Sequence, residues 1–526
     1  MRKKIFFLAI ISLFFSSCSP VEGVIGPVDP VDPVDPIDYI TAFNDGVLEY
    51  TITNATDRLV SVKKYNGVCP SGSLTIPETK ENNDISYTVT AIEPFGFYLC
   101  YGLTSVSLPN SITSLGNDAF GECSSITTIN IPTGAASLPN GLFASCRSLT
   151  SITIPDNITS IKNSVFYDCS SLNNVTIPDS VANQNMGNSV FGLCASLTNV
   201  TFPDHYTNIP NGTFFACNSL KEFIIPSNIT NIEATAFYGC SVLEEIIIPE
   251  TVLNIGESAF GACTSLTKAV IPNSLTSLPD NLFYECFKLK EVNIPSSVTS
   301  LGNSIFYSCN SLEEISLPES ITSIGNSAFG NCNNLGNFDI PSGITTLEAT
   351  VFFNCSSLTE INIPSGVTSI KNGAFAGCNT ITEITIPDGV TSIPDIAFYN
   401  CSSLSSIVLP VSVTEIGQTA FGNCFSLTSF DIPDTITSIS NQTFYQCTSL
   451  TEVNIPNSIT SIGDRTFYNC TGLTDISINL VTPLVIDANV FEYVTTSNMA
   501  LKVPSGSVST YSAAPVWQDF GSITVF

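Results

Sequence analysis

The chain has 526 residues, of which only 12% are charged and 43% hydrophobic. Charge at half its ordinary share, with ample apolar content for a core, excludes a disordered chain. The formal net charge of -29, from 45 acids against 16 bases, excludes wholesale nucleic-acid binding, and a single histidine, His205, excludes every site built on two.

Arg2, Lys3 and Lys4 precede an apolar run of 11 residues, Ile5 to Phe15. That run is too short to span a bilayer, which needs about 20. Ser16, Ser17 and Cys18 follow, completing the layout of a secretory signal over residues 1–17. Ending on Ser-Ser-Cys, it resembles a bacterial lipoprotein signal, in which Cys18 is lipidated and becomes the new N-terminus. An ordinary signal with an incidental cysteine is the alternative. Loss of residues 1–17 removes three bases and no acid, taking the net charge from -29 to -32.

Residues 18–40 read as a stalk. Pro27 to Asp38 spell PVD PVD PVD PID. Proline at every third position fixes φ and forbids a helix, so the segment is predicted to extend as a polyproline-type spacer. At ~3.1 Å per residue it reaches roughly 70 Å.

A repeat then dominates. Seventeen cysteines, from Cys100 to Cys470, fall at steps of 23, except for 25 between Cys169 and Cys194. Each has Phe three residues before it, and Leu or Ile three after. Pro stands nine after each until Asn479 breaks the column. In the unit Pro318 to Ile340, Leu312 to Leu317 ahead of it alternate apolar and polar, which predicts a strand with one buried face. Pro318 ends that strand, Ile321 and Ile324 make a second extended piece, and Gly325 turns the chain. Ala328-Phe329 is read as a short helical or 3-10 turn that drops Phe329 into the core. The columns Phe260/Cys263, Phe329/Cys332 and Phe375/Cys378 illustrate this spine. One coil cannot bury its apolar side chains alone, so stability is built from interfaces between stacked coils. At about 4.8 Å per coil, the array is a rod of roughly 80 Å.

The unit L-x-x-I-x-I-P-x-x-[VI]-T-x-I-x-x-x-A-F-x-x-C resembles the BspA-like, or treponemal-type, leucine-rich repeat. The resemblance covers residues 73–478. It implies a β-rich solenoid of about 17 coils with short helical or 3-10 turns. Residues 41–72 look like the β-hairpin cap that precedes such arrays. Residues 479–526 look like a degenerate repeat and the C-terminal cap of many Bacteroidetes members, with Tyr511 and Trp517 as lid residues. The resemblance also implies surface proteins that adhere to host proteins, other microbes or glycans.

The cysteine column places each thiol beside its equivalents in a small buried slot, where cysteine acts as a compact apolar residue. Reduced thiols are therefore expected throughout, with the state of Cys69 open. No metal is expected, because there is no C-x-x-C and no second histidine. No cofactor and no catalysis are expected either. His205 occupies a loop position, and the adjacent acids Glu244-Glu245 and Glu313-Glu314 are read as pointing to opposite sides of their strands.

Two outward columns are candidate binding surfaces. The residue five after each cysteine is acidic in eight coils and forms an acidic-polar stripe, densest at Glu291/Glu314 and Glu360/Glu383. The residue after each column Phe is aromatic in ten coils, Tyr284 and Tyr307 among them. These rings are read either as contacts for sugars or proteins, or as local packing over a neighbouring coil's Gly. Two extra residues at Asn183-Gln184-Asn185 predict a surface bulge.

The functional expectation is a non-enzymatic, adhesin-like outer-membrane lipoprotein at the cell surface. It contacts an extracellular protein or glycan through long faces and binds no nucleic acid. A structural spacer without a ligand and a glycan-capturing lipoprotein are the alternatives.

Overall fold

The computed structural model describes residues 41–526; the expected signal, Cys18 and the stalk at residues 1–40 lie outside the described residues. Strands β1 (Ala42–Asn44), β2 (Leu48–Asn54) and β3 (Leu59–Lys64) form an antiparallel meander. Strand β4 (Gly72–Thr75) leaves this meander and pairs parallel with Leu103–Ser107, so it opens the array. Strands β5 (Thr79–Asn82) and β6 (Ile85–Ile92) are antiparallel to each other. β6 joins β3 on one side and Ser114–Leu115 on the other, both parallel. The hairpin expected at 41–72 is thus one part of a larger cap sheet, which splices directly into the coils.

From there most coils repeat two short parallel strands; the first is missing at 151–154 and 221–225, and Glu314 and Met186 keep only single bridges. Glu360–Asn362 pairs with Asn337–Asp339, and Ser369–Ile370 with Thr346–Leu347. The register offset is one repeat, so identical columns stack. Alternation within the strand sets which columns face in: Val453 and Ile455 are buried, whereas Glu452 and Asn454 are exposed.

The Ala328-Phe329 corner is not a helix. It is a chain of tight turns in which Ser327 and Asn331 have positive φ, 53° and 58°. The alternation aims successive N–H groups in two directions. Those of Ala328, Gly330 and Cys332 bond within the coil, to Gly325, Ser327 and Phe329 carbonyls. Those of Ser327, Phe329 and Asn331 bond to carbonyls of the next coil. No backbone donor of the corner is wasted, which is what a buried corner requires. Short 3-10 turns do occur where the repeat is broken, at Asn183–Asn185 and Ala488–Phe491.

The core is one continuous apolar spine from Leu48 to Phe520. Its axis is a column of phenylalanines stacked at centroid distances of 5.1 Å to 6.2 Å between successive coils. The column outlasts the cysteines by one ring: Phe491 stacks on Phe467 at 5.5 Å. Parallel strands Ala500–Val503 and Ser522–Val525 carry the sheet further, making about 19 turns. Trp517 and Tyr511 are fully buried at this end. The Trp517 ring meets Phe491 edge-on at 6.1 Å, and its Nε1 donates to the Leu484 carbonyl at 2.8 Å. The Tyr511 hydroxyl donates to the Leu480 carbonyl at 3.0 Å. Both rings cover apolar surface while their polar atoms find partners, as buried Trp and Tyr require.

Sixteen cysteines are buried free thiols. Each Sγ donates to the carbonyl of the column Phe in the preceding coil, as Cys332 does to Phe306 at 3.1 Å. The thiol is therefore a buried donor as well as a compact filler. Cys100 is the correction to the expectation of reduced thiols throughout: it forms a disulfide with Cys69. As the first member of the column it has no preceding column Phe to accept its proton.

Candidate functional site

The strand face presents the first outward column. Glu291, Glu314, Glu360 and Glu383 are all exposed there. The stripe is less uniformly acidic than the count of acids implied. Lys268 stands in register between Glu245 and Glu291, with its Nζ 3.7 Å from Glu291. Glu314 pairs across to Asn337, and Glu360 pairs with Asn337 from the other side. Glu360 and Glu383 follow one another in consecutive coils. Lys268, Lys290, Glu291, Glu314, Glu319 and Asp339 line a shallow depression of about 830 Å³.

Glu244 and Glu245 do not point to opposite sides. Both are exposed and line one depression. Glu313 and Glu314 likewise share one. The reason is that the strand begins at Glu245, so Glu244 still belongs to the approach loop and escapes the strand's alternation. There it meets Lys221 at 3.4 Å.

Two positions beyond the acidic column lies a second row on the same face. Ile224 is 91% exposed, Ile247 62% and Val408 63%. These bare aliphatic side chains beside carboxylates were overlooked in the sequence, although they sit at a repeat position otherwise filled by Ser, Thr, Asn or Asp in most coils.

The turn face carries the aromatic column. Tyr284 and Tyr307 are half-buried and stack at 5.4 Å with planes 6° apart. Tyr307 then lies over Gly330, where an added Cβ would stand 2.8 Å from its ring. The same arrangement joins Tyr98 to Gly121, Tyr167 to Gly192, Tyr238 to Gly261 and Tyr399 to Gly422. In these coils the ring roofs the glycine of its neighbour, so local packing accounts for it.

A third column went unnoticed in the sequence. The residue six before each cysteine is often Asn or Asp, and its side-chain oxygen accepts the N–H of the equivalent residue one coil later. Asp280 accepts from Asn303 at 2.7 Å and Asn303 from Asn326 at 2.9 Å. The ladder seals an edge of the turn face and gives these side chains a structural task.

The 183–185 insertion is stitched down. Asn183 Oδ1 accepts from the Thr207 N–H at 3.0 Å, and Asn185 donates to the Thr159 carbonyl at 3.0 Å. His205 is exposed, with Nε2 3.0 Å from the Val181 carbonyl. Among the described residues no group of three or more His, Cys, Asp or Glu is placed to hold a metal ion. No described helix is long and apolar enough to cross a membrane.

The sequence profile described as "BspA type Leucine rich repeat region" matches in six copies, over residues 79–185, 184–313, 276–402 and 368–498. The chain belongs to the BspA-type leucine-rich-repeat family. Solved structures similar to it include a leucine-rich repeat protein from Bacteroides ovatus, at 25% identity and a TM-score of 0.40, covering 83% of this chain and 94% of that one. A leucine rich cell surface protein from Faecalibacterium prausnitzii is similar at 26% identity and a TM-score of 0.41, covering 79% and 95%. No curated protein matches the chain. For this BspA-type chain the repeat thus sets the faces on offer, and the outward columns set their chemistry.

Proposed function

We propose that this BspA-type protein is a non-enzymatic, lipid-anchored protein of the bacterial cell surface that holds an extracellular protein on its strand face. The observation that carries the reading is the adjacent pair of exposed aliphatic side chains Ile224 and Ile247, set beside the Glu and Lys column on an open sheet, with Val408 exposed at the same position further along. Exposed apolar groups rimmed by charge mark protein contact surfaces. Contacts spread over many coils add through multivalency, so no deep pocket is needed. The Ser16-Ser17-Cys18 signal and the Pro/Asp stalk support an anchored, displayed solenoid.

The test is binding of the full chain, in detergent, to a panel of matrix proteins and mucin. Saturable binding is expected to a protein, weakened at least tenfold by Ile224→Asp with Ile247→Asp. Reversing Glu291, Glu314, Glu360 and Glu383 to Lys is expected to change its salt dependence. Silence across the panel favours the spacer role. Protease shaving of intact cells tests display at the surface: loss of the solenoid is expected, and full protection overturns it.

A further inference from the structure

The last coils of the turn face depart from the packing that explains the aromatic column elsewhere. There, Tyr98, Tyr167, Tyr238, Tyr307 and Tyr399 each roof a glycine, Phe215 and Tyr284 stack on one of those rings, and Phe353 precedes Ala376. Tyr445 is instead followed by Tyr468, and the rings stack at 4.6 Å with planes 9° apart. Tyr493 meets Tyr468 edge-on at 5.1 Å and is 66% exposed. These rings have no glycine to cover.

The column that faces them changes in the same place. Five residues before the cysteine, where φ is positive, most coils carry Ser, Thr, Gly or Asn. Of the last four, Thr419 keeps the usual type, whereas Ile396, Gln442 and Arg465 depart from it, with φ of 50°, 57° and 53°. Bulky and β-branched residues are disfavoured in that conformation. The two columns enclose an open trough of about 650 Å³ along the rod, with aromatic rings on one wall and amide, hydroxyl and guanidinium on the other. Arg465 is braced by Glu492 at 3.3 Å and Asp464 at 3.5 Å.

We infer that this trough is a binding site for a neutral oligosaccharide. A pyranose has one face of polarised C–H bonds, which suits the negative face of an aromatic ring. Its rim of paired hydroxyls suits planar groups that donate and accept two at a time, as Arg465, Glu492 and Gln442 do. An anionic sugar does not fit, because two carboxylates outweigh the one guanidinium. Ile396 is the one aliphatic side chain in the lining, and every ring there carries a hydroxyl, which suits a hydroxylated ligand better than an aliphatic anchor. The site lies on the turn face, away from the strand-face row, so it goes beyond the protein-binding reading and stands or falls separately.

The experiment titrates the full chain, in detergent, with maltotriose, cellotriose and chitotriose, followed by saturation-transfer NMR and calorimetry. Sialyllactose is the anionic control. At least one neutral trisaccharide is expected to bind saturably and sialyllactose not to. Binding is expected to fall at least tenfold in Tyr493→Ala, an exposed ring, and in Arg465→Lys, which keeps the charge but loses the fork. Tyr167→Ala and the four Glu→Lys reversals are expected to leave it unchanged. Absence of binding by all three sugars overturns the inference, as does equal binding by the Tyr493 and Arg465 variants, or binding of sialyllactose alone.

Discussion

A single turn-face ring shows how the repeat divides its labour. Tyr307 stacks on Tyr284 behind it and lies over Gly330 ahead of it. Tyr307→Ala strips that roof and is expected to destabilise by about 1–2 kcal/mol, as the loss of a half-buried ring does. Gly330→Ala forces a methyl group into the ring and is expected to cost about 1–3 kcal/mol by overpacking. Because the second cost depends on the first ring, the double variant is expected to lose less than the sum of the two. Urea melts of the four proteins measure the coupling; strict additivity would show that ring and glycine do not act together. Both columns were legible as letters in the sequence. That they interlock was not, because the partners lie in different coils and meet only once stacked. Glu244 was misread for the opposite reason: alternation was assumed one residue before the strand that produces it begins.

At the scale of elements, the two ends of the array are built differently from its middle. The C-terminal coil is closed by Trp517 and Tyr511, whose polar atoms reach the Leu484 and Leu480 carbonyls. The N-terminal coil is spliced into the cap sheet through β6 and tied by the Cys69–Cys100 disulfide across a separation of 31 residues. A closed loop of that length stabilises by about 3–4 kcal/mol in the chain-entropy account. Cys69→Ser with Cys100→Ala is therefore expected to loosen the cap while sparing the middle coils. Hydrogen exchange checks this: faster exchange confined to β1 through β6 and the first coil is expected, and uniform loss of protection would contradict it. The repeat and its two strand positions were readable from spacing, whereas the caps were located through the family resemblance. The disulfide was not, because Cys100 looks like every other member of its column and differs only in having no coil before it.

For the whole molecule, the thiol column acts in one direction. Burial holds these thiols protonated, pushing Cys332 and Cys401 from the ordinary 9.0 up to about 12 and Cys355 and Cys378 upward as well. In the unfolded chain they ionise near 9. The folded state thus binds more protons above that pH, so stability is fully present below about pH 9 and drains away as pH rises towards 12. Thermal melts from pH 8 to pH 11 are expected to fall steeply, and a thiol reagent at pH 8 is expected to leave the column unmodified in the folded protein. A flat profile would remove the thiols from the account of stability. The stacking that unites these groups has a mechanical corollary. Neighbouring coils are joined by bonds running along the rod, so a pull on its two ends strains each boundary in tension and peels coils singly. Each coil of 23 residues then pays out roughly 70–80 Å of slack. A rod that lengthens in steps under load absorbs a jolt that would break a stiff connector.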